Sequence, residues 1–206
     1  MTTRSPLEAR ASSRTIYWAV IAATFMLAAA FVAPVSAQAR NPDRAAQFMQ
    51  QVANELIAAQ RGGGDEAFAR VIRKYGHVPA IGMDALGSYR AALTTTQRQD
   101  YYNGLVRFIA RYAATESQKY TVVRAEFPSP GFREGQHVLI DSRIFLSDGS
   151  QYDVRWMLVP RENTFKVRDA QVIGFWVSPF LTQIFERHIN DNGGRVEALV
   201  AALRQF

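Results

Sequence analysis

FKVRDAQVIGFWVSPFLTQIFERHINDN, residues Phe165 to Asn192, is the stretch around which the rest of the chain is organised. Phe165, Val167, Val172 and Ile173 form a β-branched and aromatic run, and from Phe175 the spacing changes to Val177, Phe180, Leu181, Ile184, Phe185 and His188. A period of two gives way to one of 3.6 at Gly174, which predicts a last strand feeding directly into a helix. That helix is apolar on more than one side, with Trp176, Phe180 and Ile184 on one stripe and Val177, Leu181, Phe185 and Ile189 beside it. Apolar surface of this width must be covered. A sheet, another helix or an apolar ligand would each do so, and periodicity does not choose among them.

Immediately upstream the pattern is that of strands. Tyr120 to Phe127 alternates and is ended by Pro128-Ser129-Pro130-Gly131. Gln136 to Leu146 places Val138, Ile140, Ile144 and Leu146 on one face and His137, Asp141 and Arg143 on the other. Asp148-Gly149 signals a hairpin turn. The return strand repeats the arrangement, with Tyr152, Val154, Trp156 and Leu158 inward and Gln151, Asp153 and Arg155 outward. Register permitting, Asp141 pairs with Arg155 across the ladder. One face of this antiparallel meander is therefore greasy, and helices must cover it.

The helices lie on either side in sequence. Asn41-Pro42-Asp43 opens one that carries Phe48, Val52, Leu56 and Ile57 and stops at Gly62-Gly63-Gly64. The three glycines lack the strand, Lys and Ser/Thr of a phosphate loop, so they read as a joint. Asp65 is expected to cap a second helix with Phe68, Val71 and Ile72 inward, and Ala80 to Tyr89 reads as a short third, closed near Gly87. Thr94, Thr95 and Thr96 are expected to cap a long helix from Gln97 to Lys119, with Tyr101, Leu105, Phe108, Ile109, Tyr112 and Ala113 at helical spacing. Asn192-Gly193-Gly194 closes the helix of the opening stretch, and Val196, Leu199, Val200, Leu203 and Phe206 mark a final amphipathic one. The fold class is α+β, with helices packed over one curved antiparallel sheet of about four strands, and with an apolar cavity between them if a ligand supplies part of the cover.

The chain has 206 residues, 48% of them hydrophobic and 12% aromatic, which suits one domain with a substantial core. Residues 1–39 read as a secretory signal peptide: Arg4, Arg10 and Arg14 precede an uncharged run from Thr15 to Val32, and Ala37 and Ala39 both satisfy the small-x-small cleavage rule. An uncleaved anchor is the alternative, since the run approaches the ~18 apolar residues of a membrane span. Residues 40–206 form the expected single domain. Removing the leader takes the basic count from 24 to 21 and the acidic count from 18 to 17, so the balance falls from +6 to +4. That mild charge suits a solvated surface or attraction to anionic headgroups, and an exported chain without a basic-aromatic strip gives no case for nucleic acid. The absence of cysteine excludes disulfides and thiol chemistry.

Several segments together resemble one family. Phe165-Lys166-Val167-x-Asp169-x-x-Val172-x-Gly174, then the aromatic helix ending in Asn192-Gly193-Gly194 and Val196-Glu197-Ala198-Leu199, is similar to the periplasmic lipid-binding component of Mla-type (toluene-tolerance) ABC transport systems. Tyr75-Gly76-His77-Val78-Pro79-Ala80-Ile81, Leu86-Gly87-Ser88-Tyr89-Arg90 and Thr96-Gln97-Arg98 stand in the order and spacing of that family. The chain departs from the pattern at Phe165, Trp176 and Thr182. The resemblance implies a periplasmic carrier of phospholipid or a related lipid, served by an inner-membrane ABC transporter complex and an outer-membrane lipoprotein complex.

No catalytic constellation stands beside that resemblance: there is no Gly-x-Ser-x-Gly, His-Glu-x-x-His, Walker A loop or Gly-x-Gly-x-x-Gly. His77, His137 and His188 lie far apart without ligand neighbours, so neither a metal nor another cofactor is expected. A cavity enzyme using Asp141, Asp169 or His188, an envelope scaffold, and a carrier of hopanoid or other terpenoid are the alternatives. Asp169 is expected to form a structural ion pair with Lys166 or Arg168. A carrier must hide two acyl chains, on the order of 30 methylenes at about 0.8 kcal/mol each. The candidate lining is Phe108, Tyr112, Val138, Ile140, Ile144, Val154, Trp156, Val177, Phe180, Leu181 and Ile184.

Overall fold

The computed structural model describes residues 43–206. The expected signal peptide, and Asn41 and Pro42 of the expected first helix start, lie outside the described residues. Helix α1 (Arg44–Gly62) begins at Asp43, whose carboxylate accepts the Ala45 N–H at 3.4 Å and the Gly131 N–H at 2.5 Å, tying the helix start to the loop after Pro130. Helix α2 (Asp65–Tyr75) is capped by Gly64 rather than Asp65; Asp65 and Glu66 occupy its first turn instead, where acidic side chains meet the positive end of the helix.

Helix α3 (Val78–Ala85) starts two residues before the expected Ala80, because His77 Nδ1 accepts the Ala80 N–H at 3.3 Å and Pro79 suits a first turn. It stops short of Tyr89, and Gly87–Ala92 is a separate 3-10 helix. In helix α4 (Arg98–Lys119) the threonines do not cap. The Gln97 side chain folds back instead, accepting from the Thr94 N–H at 2.9 Å and its hydroxyl at 2.8 Å. Helices α5 (Val177–Asp191) and α6 (Val196–Leu203) are joined through Gly194, whose N–H donates to the Ile189 carbonyl at 2.9 Å.

The sheet has six strands rather than four: β1 (Val122–Glu126), β2 (Phe132–Glu134), β3 (His137–Leu146), β4 (Gln151–Arg161), β5 (Thr164–Val172) and β6 (Phe175–Trp176). It is antiparallel and unclosed, ordered β1-β3-β4-β5-β6, with β2 also paired to β3. β1 and β2 share one edge of β3, separated where Pro128 and Pro130 remove ladder donors. The β3–β4 register places Asp141 opposite Arg155, and the guanidinium donates to both carboxylate oxygens at 2.7 and 2.9 Å. Arg143 faces Asp153 in the same way at 3.1 Å.

Between β4 and β5 the register shifts: Met157 pairs with Asp169 but Leu158 with Val167, so Arg168 is the extra residue of a bulge. The bulge lets Val167 and Val172, at positions of opposite parity, both serve the apolar face. Arg168 is released from the ladder to pair with Asp84 at the end of α3. Asp169 makes no ion pair among the described residues; it accepts the Ala170 N–H at 2.8 Å and, across to the start of α5, the Ser178 N–H at 3.1 Å. The expected pairing with Lys166 or Arg168 gives way to a helix-terminus contact.

Three apolar clusters result. Met49 and Val52 of α1, Phe68 and Val71 of α2, and Val106 and Ala110 of α4 bury Val138, Ile140 and Leu158 of the sheet. Tyr101 and Leu105 of α4 pack with Leu181, Phe185 and Ile189 of α5 and Leu199 and Leu203 of α6. A Cβ at Gly104 would lie 2.7 Å from the Leu203 Cβ, so glycine permits the α4–α6 approach. Ala53, Ala125, Ile144, Leu146 and Val154 form a smaller third cluster, whose residues are partly alanine.

Candidate functional site

α4 belongs to the first two clusters, and beside its C-terminal half the packing opens. An outer cleft of about 900 Å³ lies between Phe108, Ile109 and Tyr112 of α4, the β5–β6 turn, and Val177, Phe180 and Leu181 of α5. An inner cavity of about 280 Å³ lies between α1, α4 and the sheet, lined by Ala53, Leu56, Phe68, Ala113, Ile144, Val154 and Trp156. Ligand pockets typically occupy ~300–1,000 Å³. Glu116, Tyr120, Tyr152 and Val172 line both, so the two spaces meet along one edge.

The inner cavity exists because facing elements present small side chains: Ala53 on α1, Ala113 on α4 and Ala125 on β1. Close packing would otherwise fill the space between a helix pair and a sheet. Two of its polar side chains, Gln60 and Trp156, are occupied elsewhere. Gln60 Nε2 donates to the Val122 carbonyl at 3.3 Å while its Oε1 accepts the Val122 N–H at 3.1 Å. Trp156 Nε1 donates to Ser142 Oγ at 2.9 Å, and the Ser142 hydroxyl donates to the Val154 carbonyl at 3.2 Å. Among the described residues no buried side-chain nitrogen or oxygen is without a partner.

The lip of the outer cleft is a two-residue hairpin turn. Val172 pairs with Phe175, and the central Ile173 and Gly174 take φ of 50° and 84°. Both central residues of such a turn need positive φ, which glycine accepts and a β-branched residue resists at a cost of about 1–3 kcal/mol. The strain presents an apolar edge: Ile173 is 72% exposed, Phe175 79% and Phe180 47%.

Of the sequence candidates, Phe108, Tyr112, Val177, Phe180 and Leu181 stand on the outer cleft, and Ile144, Val154 and Trp156 on the inner cavity. Val138 and Ile140 line neither, being held in the core beneath α1 and α2. Ile184 also stands apart, packed against the α4–α5–α6 cluster. Residues not anticipated are Ile109, Tyr120, Tyr152, Trp176 and the turn at Ile173, together with the α1 face of Ala53, Leu56 and Ile57. Ala53, Ala113 and Ala125 gave no sequence signal of a cavity, because which residues face one another is settled only in the fold.

Of the titratable side chains only Glu116, Tyr120 and Tyr152 line these spaces among the described residues, and none of the three histidines does. His77 caps α3, where burial and the neighbouring Arg161 hold its imidazole below its usual range; His137 lies on β3 and His188 on α5. Burial raises the Asp169 carboxyl above the aspartate range, against its hydrogen bonds from Ser178 and Ala170. Among the described residues no group of three or more His, Cys, Asp or Glu could hold a metal ion, and no helix is long and apolar enough to cross a membrane.

Helices over an unclosed antiparallel sheet, with two joined and largely apolar spaces between them, define an α+β protein built around an apolar cleft. Residues 43–205 match the family model described as MlaC protein, and the chain belongs to that family. Among solved structures it is similar to a phospholipid-binding protein from Ralstonia solanacearum, determined in complex with a phospholipid. The two share 20% identity at a TM-score of 0.62, over 79% of this chain and 96% of that one, a likeness of fold. A search of the curated proteins finds no match.

Proposed function

We propose that this protein is a periplasmic phospholipid carrier, which holds one acyl chain in the outer cleft and the other in the inner cavity. The observation that carries the proposal is the junction at Glu116, Tyr120, Tyr152 and Val172, where two apolar spaces share one edge as two tails share one glycerol. Membership of the MlaC family and the phospholipid in the Ralstonia protein support the same reading. Aliphatic and aromatic lining offers tails contact without directional demands, and burial is worth about 0.8 kcal/mol per methylene. The lining set is Phe108, Tyr112, Val177, Phe180 and Leu181 for one chain and Ile144, Val154 and Trp156 for the other.

A carrier that binds this much apolar surface needs a partner to release it, because a partner shifts the bound state only through differential affinity. In this proposal the lipid moves between an inner-membrane ABC transporter complex and an outer-membrane lipoprotein complex, and residues 1–39 direct export to the periplasm. The cleft is a place of binding rather than catalysis. The test incubates delipidated protein with vesicles containing labelled phospholipid and separates the two by size. Label moving with the protein at one lipid per chain is the expected result; label remaining wholly with the vesicles refutes the proposal.

A further inference from the structure

Among the described residues, the linings of the two spaces hold one charged side chain, Glu116, and it belongs to both. Of the other polar side chains of the inner lining, Gln60 brackets Val122, the Ser117 hydroxyl donates to the Ala114 carbonyl at 2.7 Å and Trp156 donates to Ser142. Glu116 is instead paired with Lys119 Nζ at 2.9 Å, one turn further along α4. Lys119 lines neither space and its side chain is 60% exposed. The pair is therefore oriented, with its negative member at the junction and its positive member toward solvent.

A surface ion pair of this kind adds little to stability, and an acid between two apolar spaces is not what packing alone selects. We infer that Glu116, together with Lys119, selects the lipid headgroup, favouring zwitterionic phospholipids over anionic ones. The inference rests on the carrier reading above, since two tails diverging into the two spaces leave glycerol and headgroup at their junction. A zwitterionic headgroup offers an ammonium to the Glu116 carboxylate and a phosphate to the Lys119 ammonium. An anionic headgroup brings a phosphate toward the same carboxylate with no cation of its own, so one charge at the junction faces a like charge. Tyr120 and Tyr152 are also shared by both linings.

The test offers the protein mixed vesicles of phosphatidylethanolamine and phosphatidylglycerol with identical acyl chains in equal amounts, then measures the ratio bound by mass spectrometry. The wild type is expected to enrich phosphatidylethanolamine roughly 2- to 5-fold, the scale of a partly exposed charge interaction. Glu116→Gln moves the ratio toward one and Glu116→Lys reverses it. Raising salt from roughly 0.05 to 1 M, which shortens the screening length from over ~10 Å to ~3 Å, erodes the wild-type enrichment. An even ratio in the wild type, an unchanged ratio in folded Glu116→Gln, or enrichment indifferent to salt overturns the inference and leaves the carrier reading standing. If neither variant folds, the wild-type salt series decides. Protein that takes up no lipid of either kind refutes the carrier reading, and the inference with it.

Discussion

Ala53→Leu is expected to stabilise the lipid-free protein and weaken its hold on lipid, two effects that a filled core would not combine. Ala53 is buried on α1 and lines the inner cavity opposite Ala125 and Ile144. Leucine adds three carbons, worth about 2.4 kcal/mol at ~0.8 kcal/mol each if the cavity receives them. Ordering the new side chain costs about 0.5–1 kcal/mol, and α1 loses little helix propensity in the exchange. The net gain is roughly 1–2 kcal/mol, or about 2–8 °C in Tm for a domain of this size. The same three carbons displace about three methylenes of a bound tail, and returning ~2.4 kcal/mol of burial to water weakens binding about 50-fold. Urea denaturation of delipidated protein, with an unchanged slope, reads the first effect and lipid titration the second. A loss of about 1–3 kcal/mol, the mark of overpacking, with lipid affinity unchanged would refute the cavity reasoning.

Phe180→Asp, at the half-exposed wall of the outer cleft, is expected to leave the fold intact and cut lipid retention more than about tenfold, since an unpaired charge beside an acyl chain is costly; unchanged lipid content in the folded variant removes Phe180 from the lining. Ile140→Asp is expected instead to unfold the chain, because Ile140 is wholly buried in the core beneath α1, and circular dichroism separates the two outcomes. Ile173→Asn relieves the strained turn, and a stability gain of about 1 kcal/mol is expected with weaker lipid retention; lower stability would show that Ile173 is better packed than its exposure indicates. Asp141→Asn tests the cross-strand pair. Arg155 holds the Asp141 carboxyl below its ordinary range, so its contribution is present above about pH 4 and lost as pH falls through the depressed value. Because the pair is nearly half exposed, the cost at pH 7 is at most about 1 kcal/mol, and a cost that persists at pH 2 contradicts the pairing.

How much of this was legible in the sequence differs from element to element. The β3–β4 hairpin was readable as two strands sharing one apolar face, but its Asp141–Arg155 pair only as one register among several, because alternation excludes a slip of one residue and not a slip of two. The step from Val167 to Val172 breaks that alternation, and the break itself was the mark of the bulge at Arg168. Without a partner strand it could not be told from an interruption. β2 and β6, at three and two residues, are too short to show any period. Asp169 was assigned by its sequence neighbours, whereas its partner Ser178 is brought close only when α5 folds back on β5.

The candidate site was legible as an apolar inventory and not as a space. Val138 and Ile140 carry the same pattern as Ile144 and Val154, yet the first two lie under Met49 and Phe68 while the others face Ala53 and Ala113. What separates core from cavity is the size of the residue opposite, a tertiary fact. Ile173 was hidden for another reason: an isoleucine beside a glycine gives no hint of positive φ, since Asn-Gly or Asp-Gly is the usual signature of that turn.

The most direct test of the central claim is native mass spectrometry of the protein purified without detergent, with organic extraction of whatever it carries. The expected result is a stoichiometric adduct whose mass and fragments are those of a single glycerophospholipid with two acyl chains. A single-chain or terpenoid adduct would contradict the assignment of one tail to each space. A bare protein that also fails to take lipid from vesicles would contradict the carrier itself.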